Sequence, residues 1–425
     1  WAPDANPGFD ALAYLIEKAH AAGIEVHAWA TTLAIWGSET IFPADPNHTY
    51  YLHGPGTTGE DYWLMTRDDG EEFATDVYYL DPGHPDVVDY TVSVYAELAA
   101  NYNLDGVHLD RVRYPYNTWG YNPTALARFQ AQTGREDVPE PADPQWEQWR
   151  RDQLSGLVRK VYLTVTAINP RLRVSAATSA AGYAPTASYP WETRTPYTHH
   201  FQDWRAWLEE GILDLGMPMN YRREDELATD FDRWIAWEKD HQYGRATVVG
   251  TGLYINSLAD SMAQWLEVRE PSLLGNRALG VTGYSYATPS DEGASRRAFV
   301  NAAVSEVFTQ SVRSPGILWR DAPSNGHLTG TVTRHLPCGS VDTYPVTLSG
   351  PQTRSLLTDG SGWFGAVDLP PGDYMLSIKP PALERAISVP ITVTAGEVTD
   401  RVILLPCYGA HSIYLPLIAR QTGAE

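Results

Sequence analysis

The chain has 425 residues, of which 43% are hydrophobic and 20% are charged, so it can form two or three domains with sizeable cores. Its formal net charge of −21 argues against nucleic acid and anionic membrane surfaces as partners, because phosphate groups are bound by stripes of Lys and Arg. No apolar run reaches the roughly 18 residues that a membrane span needs.

Helices and short apolar strands alternate from residue 9 to about residue 307. Helices are predicted at 10–22, 86–102, 146–169, 201–210, 226–240, 259–269 and 294–307. Strands are predicted at 24–29, 107–110, 173–178, 213–220, 247–254 and 281–286. This alternation predicts parallel βαβ units and an α/β fold.

A closed (β/α)8 TIM barrel needs eight strands, and six are found. Because the chain opens with a helix, we expect the first two barrel strands to lie upstream of Trp1. The alternative is an open doubly wound sheet, but no strand is followed by the Gly-rich phosphate turn of that fold. A start at Trp1 without Met also suggests that a signal peptide or other upstream sequence precedes the chain. The net charge suits a soluble secreted protein, and we expect an extracellular or cell-envelope location.

The pattern changes after the barrel domain, which is assigned to residues 1–312. A linker is predicted at 313–325, a small all-β sandwich at 326–406 and a tail at 407–425. The sandwich strands are predicted at 326–333, 344–349, 354–358, 363–368, 373–379, 389–393 and 401–405. The two cysteines, Cys338 and Cys407, bracket this domain, and whether they form a disulfide is left open. The apolar tail 413–418 could be an edge strand, a partner-binding peptide or a secretion-related segment.

The segment 103–115 carries the strongest functional pattern. Apolar residues alternate along a short strand with His108 and Asp110, so these two side chains share one face. An Asp at the carboxyl end of a strand, before a polar loop, lies where (β/α) barrels keep their catalytic residues. Asp110 could equally cap the next turn or pair with Arg111 or Arg113, and the pattern leaves these alternatives open.

Further polar and aromatic side chains are predicted near the same end of the sheet. His27 and Trp29 share strand parity and are predicted to approach the rim, as a hydrogen-bonding group and a stacking platform for a sugar. Buried barrel packing is the alternative for this pair. The complete set of predicted substrate-binding residues is His27, Trp29, His108, Arg113, Tyr114, Asn220, Tyr221, Tyr284 and Tyr286.

Five motifs in this order resemble a known family. They are Val26–Trp29, Asp81–Pro85, Asp105–Pro115, Gln202–Gly211 and Met217–Tyr221. On these motifs the chain resembles the family 10 glycosyl hydrolase-like proteins, bacterial secreted barrels distantly related to the α-amylase type. The resemblance implies a TIM barrel that acts on a polysaccharide or a cell-wall glycan.

The chain differs from the family pattern at two points, and its C-terminal domain resembles a different group of proteins. The first two barrel strands are absent, and Arg111 stands where relatives often carry a second acid after the strand Asp. The stretch 358–374 resembles carboxypeptidase regulatory-like or collagen-adhesin-type repeats, which serve as spacers or stabilisers.

Glycoside hydrolysis typically uses two carboxyl groups, one as general acid and one as nucleophile or base. Asp110 is predicted as the nucleophile or base, since the α-amylase-like nucleophile follows a comparable run. Glu224 is predicted as the acid, with Asp225 and Glu192 as further candidates, although a Glu in the first turn of a helix is also favoured by the helix dipole. Asp214 is discounted because it begins its strand.

The resulting expectation is a secreted glycoside hydrolase that needs no metal or cofactor. The alternative is a non-catalytic glycan-binding or cell-envelope protein on a barrel scaffold. A metal-dependent deacetylase would need a His/Asp triad, and no His-x-x-x-His spacing supports one. His199 and His200 are predicted to begin a surface helix, and Asp81 to cap the helix that follows it.

Overall fold

The computed structural model describes residues 8–311, 313–334, 340–379 and 386–406. It divides the chain into two compact units, Trp1–Asp321 and Ala322–Glu425. Cys338, Cys407 and the tail 413–418 lie outside the described residues, so the predictions made for them stay predictions.

The first unit alternates strands and helices. Its strands are β1 (His27–Thr31), β2 (Ala34–Trp36), β3 (Phe73–Ala74), β4 (Val77–Tyr79), β5 (Gly106–Asp110), β6 (Arg173–Ser179), β7 (Leu215–Met219), β8 (Ala246–Gly252) and β9 (Gly280–Tyr284). Its helices are α1 (Ala11–Ala21), α2 (Thr49–His53), α3 (Pro85–Asn101), α4 (Pro123–Thr133), α5 (Pro144–Ile168), α6 (Thr195–Thr198), α7 (Trp204–Glu210), α8 (Glu224–Asp240), α9 (Leu258–Arg269), α10 (Arg296–Ala302) and α11 (Leu318–Asp321).

Six of these strands form one parallel sheet in the order β1-β5-β6-β7-β8-β9. The predicted parallel α/β architecture is therefore confirmed. The sheet with its helices fits the (β/α) barrel class, and within the described residues β1 and β9 are its outer strands.

Two segments contain structure that the hydrophobic pattern did not reveal. The expected long loop after β1 contains α2 and a small antiparallel sheet in the order β2-β4-β3. Helix α4 follows Asn122, whose Oδ1 accepts a hydrogen bond from the N–H of Thr124 at 2.9 Å. The Asn-Pro pair at this point is a helix-start signal in the sequence, because Asn is a good N-cap and Pro is favoured in the first turn.

Apolar side chains are buried along β5 and at the amino-terminal end of the parallel sheet. On the helix side of β5, Val107 and Leu109 have no exposed surface. Near the amino-terminal ends of the strands, Leu215 and Ala246 pack with Ile317, which precedes α11. Apolar packing therefore contributes to the core at that end of the sheet.

The predicted linker 313–325 contains α11, which is fixed to the sheet by a buried ion pair. Arg320 Nη2 lies 2.7 Å from Oδ2 of Asp214, and Trp319 Nε1 donates to Oδ1 of the same carboxylate at 2.6 Å. Asp214 precedes β7 and also accepts from the N–H of Val174 at 2.7 Å. It lies at the amino-terminal edge of the sheet, opposite the carboxyl ends of the strands.

The described residues of the second unit contain seven strands, and each overlaps a predicted one. They are β10 (Gly326–Arg334), β11 (Pro345–Ser349), β12 (Arg354–Leu357), β13 (Trp363–Leu369), β14 (Gly372–Ile378), β15 (Ile387–Val393) and β16 (Val398–Leu405). They form one sheet in the order β13-β10-β16 and another in the order β12-β11-β14-β15. One buried cluster, with Leu328, Phe364, Leu348 and Leu376 among its members, draws side chains from both sheets.

None of the helices in the described ranges is both long and apolar enough to cross a bilayer.

Candidate active site at the carboxyl ends of the parallel strands

Asp110 is the last residue of β5 and lies at the carboxyl end of the sheet. Its Oδ1 accepts a hydrogen bond from the N–H of Arg111 at 2.7 Å, and Nη1 of Arg113 lies 4.0 Å from the same oxygen. The carboxylate is therefore not enclosed in a tight ion pair. Nη1 of Arg113 is buried and has no hydrogen-bond partner among the described residues, so it is a donor available to a ligand or to water.

His108 lies one pleat below Asp110 on the same face of β5. Its Nδ1 is 2.9 Å from the hydroxyl oxygen of Ser175 on the neighbouring strand β6. Burial lowers the pKa of His108 to about 4, although the negative charge of Asp110 opposes this shift. The imidazole is therefore neutral at physiological pH and supports the site as a hydrogen-bonding group.

His27 lies at the opposite end of the strand from the site, which corrects its predicted position at the rim. In the strand register His27 is paired with Gly106, whereas Thr31 is paired with Asp110. Four residues of a strand separate these levels by roughly 13 Å. A Cβ added at Gly106 would lie 2.4 Å from Nδ1 of His27, so the ring packs against the glycine backbone. Burial accordingly lowers the pKa of His27.

Four aromatic rings form a continuous cluster at the strand ends. Tyr221 stacks on Tyr284, with ring centroids 5.7 Å apart and planes inclined by 14°. Tyr254 meets both of these rings edge on, at 6.2 and 6.0 Å, and Trp29 meets Tyr284 edge on at 6.4 Å. Trp29, Tyr284 and Tyr254 keep 60%, 46% and 42% of their surfaces exposed, so ring faces remain available for stacking.

The aromatic cluster is defined as Trp29, Tyr221, Tyr254 and Tyr284. It reaches the strand next to Asp110, because Trp29 lies on β1 two residues before Thr31, the register partner of Asp110. Burial raises the pKa of Tyr221, and the negative charge of Asp110 raises it further. Tyr254 is not among the binding residues predicted from the sequence. Its position two residues after β8 is a signal that could have found it, because Tyr221 follows β7 at the same spacing.

Tyr286 is exposed but lies outside the aromatic cluster. Its ring is covered by the guanidinium of Arg296, 5.4 Å from the ring centroid. No ring contact joins Tyr286 to the cluster within the described ranges. It therefore provides a separate exposed surface.

Two predicted substrate-binding residues are packing residues instead. Tyr114 has no exposed surface, and its ring packs edge on against Phe201 with centroids 5.2 Å apart. Asn220 is also completely buried, and its Nδ2 donates to the carbonyl of Phe231 at 3.3 Å. Both residues follow strand ends in sequence, but the chain turns their side chains into the core, where a sugar has no access.

The histidine pair after α6 does not begin a surface helix. Nδ1 of His200 lies 2.9 Å from the hydroxyl oxygen of Ser179, the last residue of β6. Burial, aided by the positive charge of Arg113, lowers the pKa of His200 to about 4. Helix α7 begins only at Trp204, because Asp203 caps it by accepting from the N–H of Ala206 at 3.3 Å.

Glu224 is directed towards helix α9. Its Oε2 accepts a hydrogen bond from Nε2 of Gln264 at 3.1 Å, and its N–H donates to Oδ1 of Asn256 at 2.8 Å. It is the first residue of α8, where a carboxylate is stabilised by the helix dipole. The role of Glu224 as general acid to Asp110 stays a prediction.

The two other acid candidates are also engaged elsewhere. Asp225 Oδ1 lies 3.4 Å from Nε of Arg223, and Glu192 Oε1 lies 3.2 Å from Nη1 of Arg205. Among the residues that the structure describes, no group of three or more His, Cys, Asp or Glu side chains could hold a metal ion.

Asp81 is fully buried. Its Oδ1 accepts from the N–H of Gly83 at 2.8 Å, so it stabilises the turn before α3. The cap of α3 itself is His84, whose Nδ1 accepts from the N–H of Asp86 at 3.2 Å. Burial raises the pKa of Asp81 to about 7.

Comparison with known proteins identifies a family. The family model described as glycosyl hydrolase-like 10 matches residues 2–267. Glycosyl hydrolase YngK of Bacillus subtilis is 28% identical over 236 residues, which are 55% of this chain and 42% of that protein. Glycosyl hydrolase DigH of Escherichia coli K12 is 28% identical over 253 residues, which are 55% of this chain and 51% of that protein. The chain spans about half the length of the curated relatives it matches.

A solved structure is also similar, namely the PgaB (BpsB) glycoside hydrolase domain from Bordetella bronchiseptica. The two share 16% sequence identity over 72% of this chain and 80% of that chain, with a TM-score of 0.47. The similarity of residues 358–374 to carboxypeptidase regulatory-like modules stays a prediction. The family model covers more than half of the chain, and this protein therefore belongs to the glycosyl hydrolase-like 10 family.

Proposed function

We propose that this protein is a glycoside hydrolase that cleaves O-glycosidic bonds in a polysaccharide or cell-wall glycan. Family membership supports a carbohydrate-active function. The observation that carries the proposal is the position of Asp110, a strand-end carboxylate without a tight ion pair, next to the strand that carries Trp29 of the aromatic cluster, in which three of the four rings are exposed. We further propose that it acts outside the cytoplasm, because its net charge and aromatic content suit a secreted protein that binds neutral sugars.

In this proposal Asp110 acts as nucleophile or base at the anomeric carbon. Glycosidic bonds break through an oxocarbenium-like transition state, which a nearby carboxylate stabilises. Arg113 supplies a donor that can bind a sugar hydroxyl next to the carboxylate, and the aromatic cluster supplies ring faces on which a pyranose can stack. Each group would orient the sugar towards Asp110.

The general acid has no assigned side chain in the observed arrangement. Glu224, the predicted acid, is held by Gln264 of α9 through one carboxylate oxygen. This observation favours a second candidate function, namely glycan binding without catalysis on the same scaffold. The two functions differ in whether sugar chains are shortened.

The proposal also includes the closure of the barrel and the sandwich arrangement of the second unit. We infer that the six parallel strands are part of a closed (β/α)8 barrel and that the two sheets of the second unit form a sandwich. The barrel is supported by the approach of the two outer strands, since Trp29 of β1 meets Tyr284 of β9 with ring centroids 6.4 Å apart. The sandwich is supported by the buried cluster shared between its sheets.

The proposal is tested by incubating the protein with polymeric glycans, including a cell-wall glycan, and measuring the reducing ends released. We expect release by the wild type and a loss of about 10²- to 10⁴-fold in Asp110→Asn, the range for a lost acid–base group. Unchanged far-UV and near-UV circular dichroism would show that the variant is folded. Equal rates for wild type and variant would remove Asp110 from the mechanism, whereas glycan binding without any release would support the binding function.

A further inference from the structure

Arg111, directly after Asp110, has a left-handed backbone with a φ of 51°. Non-glycine residues adopt this conformation infrequently because of steric crowding at Cβ, and they keep it where surrounding contacts hold them. In this conformation the N–H of Arg111 donates to Oδ1 of Asp110 at 2.7 Å. The backbone of Arg111 therefore fixes one oxygen of the candidate catalytic carboxylate.

The side chain of Arg111 reaches away from Asp110 to a hairpin 35 residues earlier in the chain. Its Nη2 donates to Oδ2 of Asp76 at 2.8 Å, and its Nη1 lies 3.3 Å from Oδ1 of Asp76 and from the hydroxyl of Tyr79. Two parallel contacts between a guanidinium and a carboxylate fix orientation as well as distance. The hydrogen bonds from Arg111 hold the pKa of Asp76 below its usual value, so the pair stays ionised at neutral pH.

The hairpin is itself held by packing, so it provides a fixed anchor. Asp76 lies in the turn between β3 and β4. The ring of Tyr78 packs against Tyr50 at 5.4 Å and against Phe73 at 4.9 Å. The carbonyl of Tyr79 accepts from the N–H of Met65 at 2.8 Å. Contacts of the residues before and after the turn therefore hold Asp76 in place.

We propose that Arg111 and Asp76 form a positioning pair, in which the β3–β4 turn holds the left-handed backbone of Arg111 and thereby orients the carboxylate of Asp110. The inference rests on the proposed function, because it assigns the orientation of Asp110 a role at the reacting sugar. The pair acts through Asp110, while Arg113 provides the guanidinium nearer to that carboxylate.

The proposal has a signature that a purely structural ion pair would not show. Half-exposed ion pairs contribute little to the free energy of unfolding. Misplacement of a catalytic group by about 1 Å can cost about 100-fold in rate. Loss of the pair should therefore lower kcat strongly and leave stability and KM almost unchanged.

The test compares Asp76→Asn, Arg111→Gly and the double variant with the wild type. Glycine accepts a positive φ without strain, so Arg111→Gly retains the N–H and removes the side chain that restrains it. The matched control is Asp69→Asn, which breaks the half-exposed pair of Asp69 with Arg67 on a neighbouring loop. We expect kcat for reducing-end release to fall about 10- to 100-fold in the three variants and to stay near wild type in the control.

Two further results are expected. The double variant should lose no more than Arg111→Gly, because both changes break one contact. Asp76→Glu keeps the charge and should recover part of the lost kcat. Crystal structures of the variants should show the carboxylate of Asp110 rotated away from the N–H of residue 111.

The outcomes separate this inference from the proposed function. If Asp110→Asn is inactive but Asp76→Asn and Arg111→Gly match the Asp69→Asn control, the positioning pair is refuted and the hydrolase remains. If the wild type releases no reducing ends, the hydrolase function is refuted. The crystal structures of the variants then test the positioning pair independently of activity. An Asp110 carboxylate unmoved in Asp76→Asn would then refute the positioning pair, and a rotated one would support it.

Discussion

Tyr284 stacks on Tyr221 with ring centroids 5.7 Å apart and also meets Trp29 edge on at 6.4 Å. Tyr284 ends β9 and Trp29 belongs to β1, so the contact connects the two outer strands of the parallel sheet. Aromatic surface therefore spans the space between these strands at the end where Asp110 lies.

The aromatic cluster should contribute more to glycan binding than to the chemical step. Trp29→Ala and Tyr254→Ala are expected to raise KM about 3- to 10-fold, because a ring stacking contact contributes about 0.5–1.5 kcal/mol. Tyr286→Ala is the matched control, since this exposed ring lies against Arg296 instead. Steady-state kinetics on a soluble glycan provide the measurement. A larger effect in Tyr286→Ala than in the cluster variants would contradict this assignment.

Glu224 is expected to be dispensable for catalysis in the observed arrangement. Its carboxylate is bound by Gln264, so Glu224→Gln should keep its rate of reducing-end release within about 3-fold of the wild type. Gln264→Leu would remove the same contact and serves as the structural control. A loss of about 10²-fold or more in Glu224→Gln alone would identify Glu224 as the acid.

Glu238 should make the protein less stable as the pH rises. It is fully buried, and burial raises its pKa to about 8, although the positive charges of Arg222 and Lys239 oppose the shift. The folded state therefore keeps a proton that the unfolded chain loses near its ordinary value. The stabilising effect is complete below about pH 4.5 and is lost as the pH rises through about 8.

Urea unfolding between pH 5 and 8.5 measures this dependence. Glu238→Gln should flatten it and raise the free energy of unfolding at pH 8 by an amount on the order of a few kcal/mol. Glu226→Gln, an exposed position on the same helix, is the control and should retain the wild-type slope. An unchanged slope in Glu238→Gln would show that another group carries the dependence.

The buried pair of Asp214 with Arg320 should be essential for the stability of the first unit. Arg320→Met leaves an unpaired carboxylate in the core and is expected to cost about 3–5 kcal/mol in the free energy of unfolding. Arg67→Met breaks a half-exposed pair and should cost less than about 1 kcal/mol. Equal costs for the two variants in urea unfolding would contradict the buried role of Arg320.

The periodic spacing of apolar residues predicted most of the elements. The spacing identified helix α5 to within two residues at its start and one at its end, because its N-cap Asp143 and its apolar face are local signals. It missed α4 and the β2-β4-β3 sheet. In these segments, short elements are stabilised by contacts such as Tyr78 with Tyr50, which are distant in sequence.

In the candidate site, too, some residues could be predicted from the sequence and others could not. Asp110 could be placed from sequence because strand parity and the break after β5 determine which face it shares with His108. Tyr114 and Asn220, by contrast, lie in turns, where no periodicity fixes the side-chain direction, and only packing showed that they are buried. The sequence alone thus determined the parallel sheet and the strand-end carboxylate, because both depend on local spacing. Tertiary structure decided which side chains surround Asp110, because strand register and chain turns bring residues from Trp29 to Tyr284 to one end of the sheet.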